Sequence, residues 1–348
     1  MREGVTVHDG WFYETVDDSS SYAGWGSSIA VDREGNPHIS YLVQERGFFS
    51  PPTLKYARWT RFGWKKETLA RNLVGHNDGK FWAVNVQDGA ITSIALDSQD
   101  HPHISYVDAN HDPARSMTCS GEVCTRNYQL MHTSWNGTAW NTEPVDREYN
   151  PGSYTRHGLY SSIAIDPRDL PHISYFSIWD NACTDLAGVP IGQGPLCDYF
   201  LYGKLKYASF NGSAWSTETV DSSTTSVGLY SSLKIDSRGN PHISYMDWKN
   251  GFLRYATSSG GSYWFRSVPD RQNSDTGRFS SLAIDSRGYP RIVYMDYKNG
   301  HVRYVYGTFP ELDKKTMTIT APGSGASADT VTMQGDGGQE MIGMVPFP

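Results

Sequence analysis

One phrase recurs five times along this chain, and it governs what the chain can fold into. It reads SSIAVDREGNPHISYL from Ser27, TSIALDSQDHPHISYVD from Thr92, SSIAIDPRDLPHISYF from Ser161, SSLKIDSRGNPHISYMD from Ser231 and SSLAIDSRGYPRIVYMD from Ser280. Successive copies begin 65, 69, 70 and 49 residues apart, so the last interval is the bare unit and the others carry insertions. A repeat of roughly 50 residues is the size of one blade of a β-propeller.

Each phrase contains two runs of β-branched and apolar residues joined by a turn of Asp, Gly and Pro, which predicts a hairpin of strands a and b. An alternating segment follows each hairpin and supplies strand c: TLKYARW at Thr53, YQLMHTSW at Tyr128, KLKYASF at Lys204, FLRYATS at Phe252 and HVRYVYG at His301. A fourth strand, d, is predicted in GWKKETLA from Gly63, TAWNTEPVD from Thr138, SAWSTETVD from Ser213 and SYWFRSVPD from Ser262. No fourth segment follows HVRYVYG, but GWFYETVD, from Gly10 to Asp17, carries the same pattern ahead of the first copy. The expectation is therefore an all-β, five-bladed propeller of four-stranded antiparallel blades over residues 1–307. Its N-terminal strand, residues 10–17, would complete the last blade and remove the open edges. Residues 308–348 form a C-terminal extension, expected as a hairpin, a donated strand or a linker.

The repeat resembles the D-S-x-G-x-P-H-I-S-Y-x-D repeats of extracellular bacterial and archaeal proteins, over about residues 10–307. That resemblance implies a blade and says little about activity, because propellers serve lectins, scaffolds, hydrolases and lyases alike. A five-bladed architecture is also similar to that of tachylectin-type lectins and arabinanase-type glycosidases.

The net charge of −7 supplies no basic footprint for a polyanion, which argues against sequence-independent nucleic-acid binding. No apolar run is long enough to span a membrane, and the first residues lack the apolar core of a signal peptide. The four cysteines fall into two local pairs, Cys119 with Cys124 and Cys183 with Cys197, each within one polar insertion. Their spacing does not match a tetrahedral zinc site, so two loop disulfides are expected, and with them an extracellular or cell-surface location. The sequons at Asn136 and Asn211 suit glycosylation there. No cofactor is implied beyond a structural calcium.

The repeated Asp32, Asp97, Asp166, Asp236 and Asp285 open the a-to-b turns and are read as turn-fixing carboxylates. His38, His103, His172 and His242 hold one position of strand b, where Arg291 replaces them in the fifth copy, and are read as hydrogen-bonding groups between blades. Aromatic residues just before strand a, Trp25, Tyr160, Tyr230 and Phe279, stand where the chain nears the channel mouth. They are candidates for stacking on sugar, or for wedging between blades. Trp82 and His157, in neighbouring polar and aromatic stretches, join the ligand-binding candidates, and insertions on a rigid scaffold commonly bind. None of G-x-S-x-G, H-E-x-x-H, the phosphate-loop pattern or the sialidase S-x-D-x-G-x-x-W box occurs in a convincing context. The reading is a non-enzymatic extracellular recognition or scaffold protein that binds carbohydrate or a surface partner. A filament subunit using the tail and a polysaccharide-degrading glycosidase or lyase are the alternatives.

Overall fold

The computed structural model describes residues 6–8, 11–20, 22–45, 52–71, 73, 91–108, 117–120, 123–126, 128–146, 154–180, 203–224, 226–260, 263–271, 275–307, 330–334 and 340–344. Trp82, Cys183 and Cys197 lie outside them. The chain begins with a short hairpin of β1 (Thr6–His8) and β2 (Trp11–Tyr13). The first repeat forms β3 (Ala23–Val31), β4 (Pro37–Val43), β5 (Thr53–Thr60) and β6 (Gly63–Ala70). The second forms β7 (Ser93–Leu96) and β8 (Pro102–Asp108), an inserted hairpin of β9 (Met117–Ser120) and β10 (Val123–Arg126), then β11 (Gln129–Trp135) and β12 (Trp140–Pro144). The third gives β13 (Tyr154–Ile165), β14 (Pro171–Asp180), β15 (Gly203–Phe210) and β16 (Trp215–Asp221). The fourth gives β17 (Val227–Ile235), β18 (Pro241–Asp247), β19 (Phe252–Thr257) and β20 (Phe265–Ser267). The fifth gives β21 (Thr276–Ile284), β22 (Pro290–Asp296) and β23 (His301–Tyr306). In the tail, β24 (Thr330–Gln334) pairs with β25 (Glu340–Met344). The described residues contain no helix.

Among the described residues each repeat is one antiparallel meander, with four strands in the first four sheets and three in the fifth. The a-to-b turns form as the residue types predict. Asp32, Asp97, Asp166, Asp236 and Asp285 each accept backbone N–H bonds from two and four residues on, at 2.7–3.0 Å. The strand-b histidines are buried or nearly so, but they bond within their own sheet rather than between sheets. His38 meets Tyr56 on strand c at 2.6 Å, His172 and His242 meet Tyr207 and Tyr255 in the same way, and Arg291 reaches Asp285 at 2.6 Å.

Hydroxyl pairs join consecutive sheets: Ser40 with Thr92, Ser105 with Ser161, Ser174 with Ser231 and Ser244 with Ser280, all at 2.7–3.0 Å. The amides of Ile94, Ile163, Leu233 and Leu282 donate across the same junctions to Ser28, Ser93, Ser162 and Ser232. These four contacts order the sheets one to five. The outer faces of the first and fifth sheets are different. Ile29 is 62% exposed, whereas its counterparts Ile94, Ile163, Leu233 and Leu282 are at most 6% exposed. Val302 is 83% exposed, whereas Leu54, Leu130, Leu205 and Leu253 are fully buried.

Among the described residues the N-terminal segment pairs locally and the fifth sheet keeps three strands. Trp11–Tyr13 pairs with Thr6–His8 and not with the fifth sheet. A tight hairpin closes with less loop entropy than a pairing between distant ends of the chain. Just beyond it, Val16 packs against Tyr41, Val43 and Ala57 of the first sheet. The corresponding Val145 and Val220 pack on the third and fourth sheets in the same manner.

Candidate functional site

Strand a enters four of the sheets through the same strained turn. A glycine with positive φ, Gly24, Gly158, Gly228 or Gly277, is followed two residues later by a left-handed residue: Gly26, Tyr160, Tyr230 or Phe279, with φ of 52–54°. The register of strand a against strand b shifts twice there. The first glycine permits close approach to the preceding sheet: a Cβ at Gly228 or Gly277 would stand 2.8 Å from the Cα of Leu205 or Leu253. The left-handed conformation is an outlier for bulky aromatic residues and persists only where the surroundings enforce it. Hydroxyls of the next sheet do so, since Ser231 donates to the Tyr160 carbonyl at 2.8 Å and Ser280 to that of Tyr230 at 2.9 Å.

The result is a row of rings. Tyr160 and Tyr230 have centroids 4.6 Å apart, and Tyr230 and Phe279 are 4.7 Å apart, all tilted by about 50–56°. Tyr160 is buried, Tyr230 half-buried and Phe279 66% exposed, so the row runs from core to solvent. Three of the four predicted aromatics are thus brought together. Trp25 is not among them, because it stands one residue before the left-handed position, which Gly26 fills. Trp25 packs against the core cluster that includes Leu42, Leu54 and Ile94.

His157 is only 1% exposed. Its Nδ1 lies 2.7 Å from the Ser177 hydroxyl and 3.6 Å from the Asp146 carboxylate. Asp146 also accepts from the Tyr175 hydroxyl and from Lys206, each at 2.6 Å. Burial would raise the Asp146 pKa, but the charges of His157 and Lys206 and the hydrogen bonds outweigh it and bring it to about 2. His157 is therefore part of a buried ionic junction rather than a surface that touches ligand.

Cys119 and Cys124 are directly opposite in the register of β9 and β10. Asn136 and Asn211 are exposed at c-to-d turns, where each side-chain oxygen accepts from the two residues that shape the turn.

A feature that sequence reasoning missed is a groove of about 700 Å³ between the fourth strands of sheets two and three, lined by Glu143, Asp146, Lys204, Trp215 and Glu218 among others. One of its carboxylates, Glu143, belongs to a repeated device: Trp215 Nε1 donates to it at 3.0 Å, as Trp140 Nε1 donates to Glu67 one sheet earlier, also at 3.0 Å. Trp264 faces Glu218 without reaching hydrogen-bond geometry, and burial raises the Glu218 pKa. The W-x-x-E spacing of strand d was the available signal.

No protein-family model and no curated protein matches the chain. Among solved structures it is similar to an ulvan lyase of a new polysaccharide-lyase family, at 12% identity and a TM-score of 0.50, over 81% of this chain and 64% of that one. The fold is a β-propeller. An α-L-arabinofuranosidase of Fusarium graminearum is similar at 12% identity and a TM-score of 0.48, over 87% of this chain and 83% of that one. A Hadza microbial sialidase is similar at 11% and 0.47, over 80% of this chain and 53% of that one. The propeller thus spans about half of the sialidase and less than two thirds of the lyase, and at these identities the likeness concerns fold alone.

Proposed function

We propose that the chain is a closed five-bladed propeller that recognises carbohydrate outside the cell, at the channel mouth where Tyr230 and Phe279 stand. The observation that carries this reading is the ring row itself, three aromatics from three consecutive sheets held in left-handed backbone at one end of the strands. Aromatic faces suit the apolar C–H faces of a sugar, and strain in the backbone concentrates at functional positions.

Closure is supported by the complementarity of the two open faces. Val293, Val302 and Tyr304 on the fifth sheet, and Ile29 and Val31 on the first, are exposed at positions that the other junctions cover wholly or in part. Trp64 Nε1 is buried with no partner among the described residues, while Trp140 and Trp215 give theirs to a glutamate of the preceding sheet. Glu14 holds the matching place in WFYETVD, and would accept that bond once residues 11–16 lie along β23 as its fourth strand. The register of Cys119 against Cys124 supports a disulfide, with Cys183–Cys197 as the second, and a secreted, glycosylated chain.

Two other readings have specific support. The fold shared with a polysaccharide lyase favours a glycosidase or lyase. The same two open faces, being unlike and complementary, would also join copies head to tail into a filament, with residues 308–348 as a donated strand.

The test is a glycan-array screen of the full chain and of Phe279→Ala, with assays for new reducing ends and for ultraviolet-absorbing unsaturated products. Molar mass is measured beside a chain ending at Gly307. Binding without turnover, lost in Phe279→Ala, is the expected result. Product formation would replace recognition with catalysis. Concentration-dependent mass with no glycan bound would favour the filament.

A further inference from the structure

Beside the ring row, strand a of the fifth sheet departs from the pattern at Arg278. Its counterparts at the same bulge are Trp25, Leu159 and Leu229, all apolar. The Arg278 guanidinium carbon lies 3.8 Å from the centre of the Tyr297 ring and 4.7 Å from that of Trp248. Both aromatics come from b-to-c turns, so they belong to the same end of the sheets as Tyr230 and Phe279. Asp275 accepts from Nε at 3.2 Å and from Nη2 at 3.0 and 3.3 Å, while Nη1 has no hydrogen-bond partner among the described residues.

The neighbouring carboxylates are already committed. Asp296 is held by Asn299 and Arg303, Asp247 by Asn250 and Arg254, and Asp270 by Tyr294. What remains is a flat cation, fixed between rings, with one nitrogen left over beside Tyr297, which is 53% exposed, and one residue along the strand from Phe279 at the end of the ring row. A guanidinium held in this way loses little freedom when it pairs with an oxyanion, and its planar fork matches carboxylate and sulfate. Packing alone explains the position less well, because leucine serves it in sheets three and four.

We propose that Arg278 is the anion-recognising residue of the saccharide site, and that the ligand is an acidic polysaccharide bearing uronate or sulfate groups. The inference rests on the carbohydrate reading. Phe279 and Tyr297 supply the stacking surface, and Arg278 Nη1 meets the charged substituent.

Calorimetric titration of the full chain uses an oligogalacturonate, a sulfated galactan fragment and a neutral galactan fragment of equal length. The variant is Arg278→Leu, the residue that Leu159 and Leu229 show to be compatible with this bulge, with its melting midpoint checked against the parent. The expected result is that at least one anionic ligand binds more tightly than the neutral one and weakens about tenfold or more in Arg278→Leu, roughly one charge-assisted hydrogen bond. The neutral ligand keeps its affinity. Loss confined to oligogalacturonate or to the sulfated fragment identifies the substituent. Equal binding of all three ligands, or no change in the variant, overturns the role of Arg278 and leaves the carbohydrate reading intact. Absence of binding by any saccharide overturns both.

Discussion

The Asp17 carboxylate accepts a 2.8 Å hydrogen bond from the Tyr41 hydroxyl. The same relationship joins Asp146 to Tyr175, Asp221 to Tyr245 and Asp270 to Tyr294, at 2.6–2.8 Å. In each case the aspartate ends a d-type segment and the tyrosine lies on strand b of the following sheet. A cation from strand c completes the cluster: Lys55, Lys206, Arg254 or Arg303. Burial would raise Asp17, yet the bonds from Tyr41, Ser19 and Lys55 hold it well below the ordinary carboxylate range. A residue from the start of the chain thus does for the first sheet what strand d does for three others.

At the junction of sheets one and two both charges are missing together. Ala70 stands where the aspartate is expected, and Met131 is opposite Tyr106 where the other sheets place Lys or Arg. A buried charge without its partner is strongly unfavourable. Ala70→Asp alone is therefore expected to destabilise by about 2–4 kcal/mol, and adding Met131→Lys to recover about 1.5–3 kcal/mol of that loss. Urea denaturation of the two single variants and the double variant measures the coupling; additive costs would mean that the cluster is not a unit.

Ile29 provides the most direct check on ring closure. Ile94→Ala removes a buried side chain and should cost about 2–5 kcal/mol. If the first and fifth sheets meet, Ile29→Ala costs a comparable amount, about 2–4 kcal/mol, despite the exposed position of Ile29. If they do not, the change stays within about 0.5 kcal/mol, as for an ordinary surface site. Denaturation midpoints of both variants decide between these outcomes.

The repeat made strands a to c legible because each position recurs and substitutions show against four other copies. The d strands, the Asp-capped turns and the buried state of the strand-b position were readable for the same reason. Legibility failed where one residue of register mattered. Trp25 and Gly26 are adjacent, and only backbone conformation reveals that Gly26 is the left-handed equivalent of Tyr160. His157 reads as a polar loop residue, and its burial depends on Asp146 and Lys206 arriving from other strands. Arg278 is hidden because its two aromatic neighbours, Trp248 and Tyr297, lie in different repeats.

The turn opposite the ring row yields a prediction about glycine. Asp100 and Asp169 adopt φ of 62–63° at the position that Gly35, Gly239 and Gly288 fill elsewhere. Each aspartate reaches back one sheet: Asp100 accepts from the Arg33 amide and Nε, and Asp169 from the Ser98 amide and hydroxyl. The donor facing residue 239 would be Pro167, which has no N–H, whereas the donor facing residue 288 would be Ser237. Both glycines have open space around a new Cβ. Gly288→Asp should therefore be more stable than Gly239→Asp by about 1–2 kcal/mol, since only the first gains hydrogen bonds to offset its left-handed strain. Equal thermal midpoints would refute the staple.

Acid sensitivity should concentrate in the second sheet, where His132 replaces the tyrosine of its neighbours. His103 Nδ1 and His132 Nε2 lie 3.0 Å apart, so one shared proton joins two rings in a buried site. Burial first, and the nearby His132 second, lower the His103 pKa to about 4. A histidine lowered on folding contributes stability that is complete above the unfolded pKa near 6.5 and is lost as pH falls towards 4. His38, His132, His172 and His242 are lowered by burial in the same direction. Stability should fall between about pH 6.5 and about pH 4, well above the range in which Asp146, near 2, takes up its proton. His132→Tyr restores the His–Tyr pair of sheets one, three and four, where Tyr56 and Tyr207 also pack edge-on against a tryptophan of the next sheet, as His132 does. That variant should lose part of the pH dependence, on the order of 1–2 kcal/mol between about pH 7 and about pH 5. Its urea midpoint should change little at the higher pH. An unchanged slope in His132→Tyr would assign the acid response to the other histidines, and no slope at all would show that none of them stays neutral because of burial.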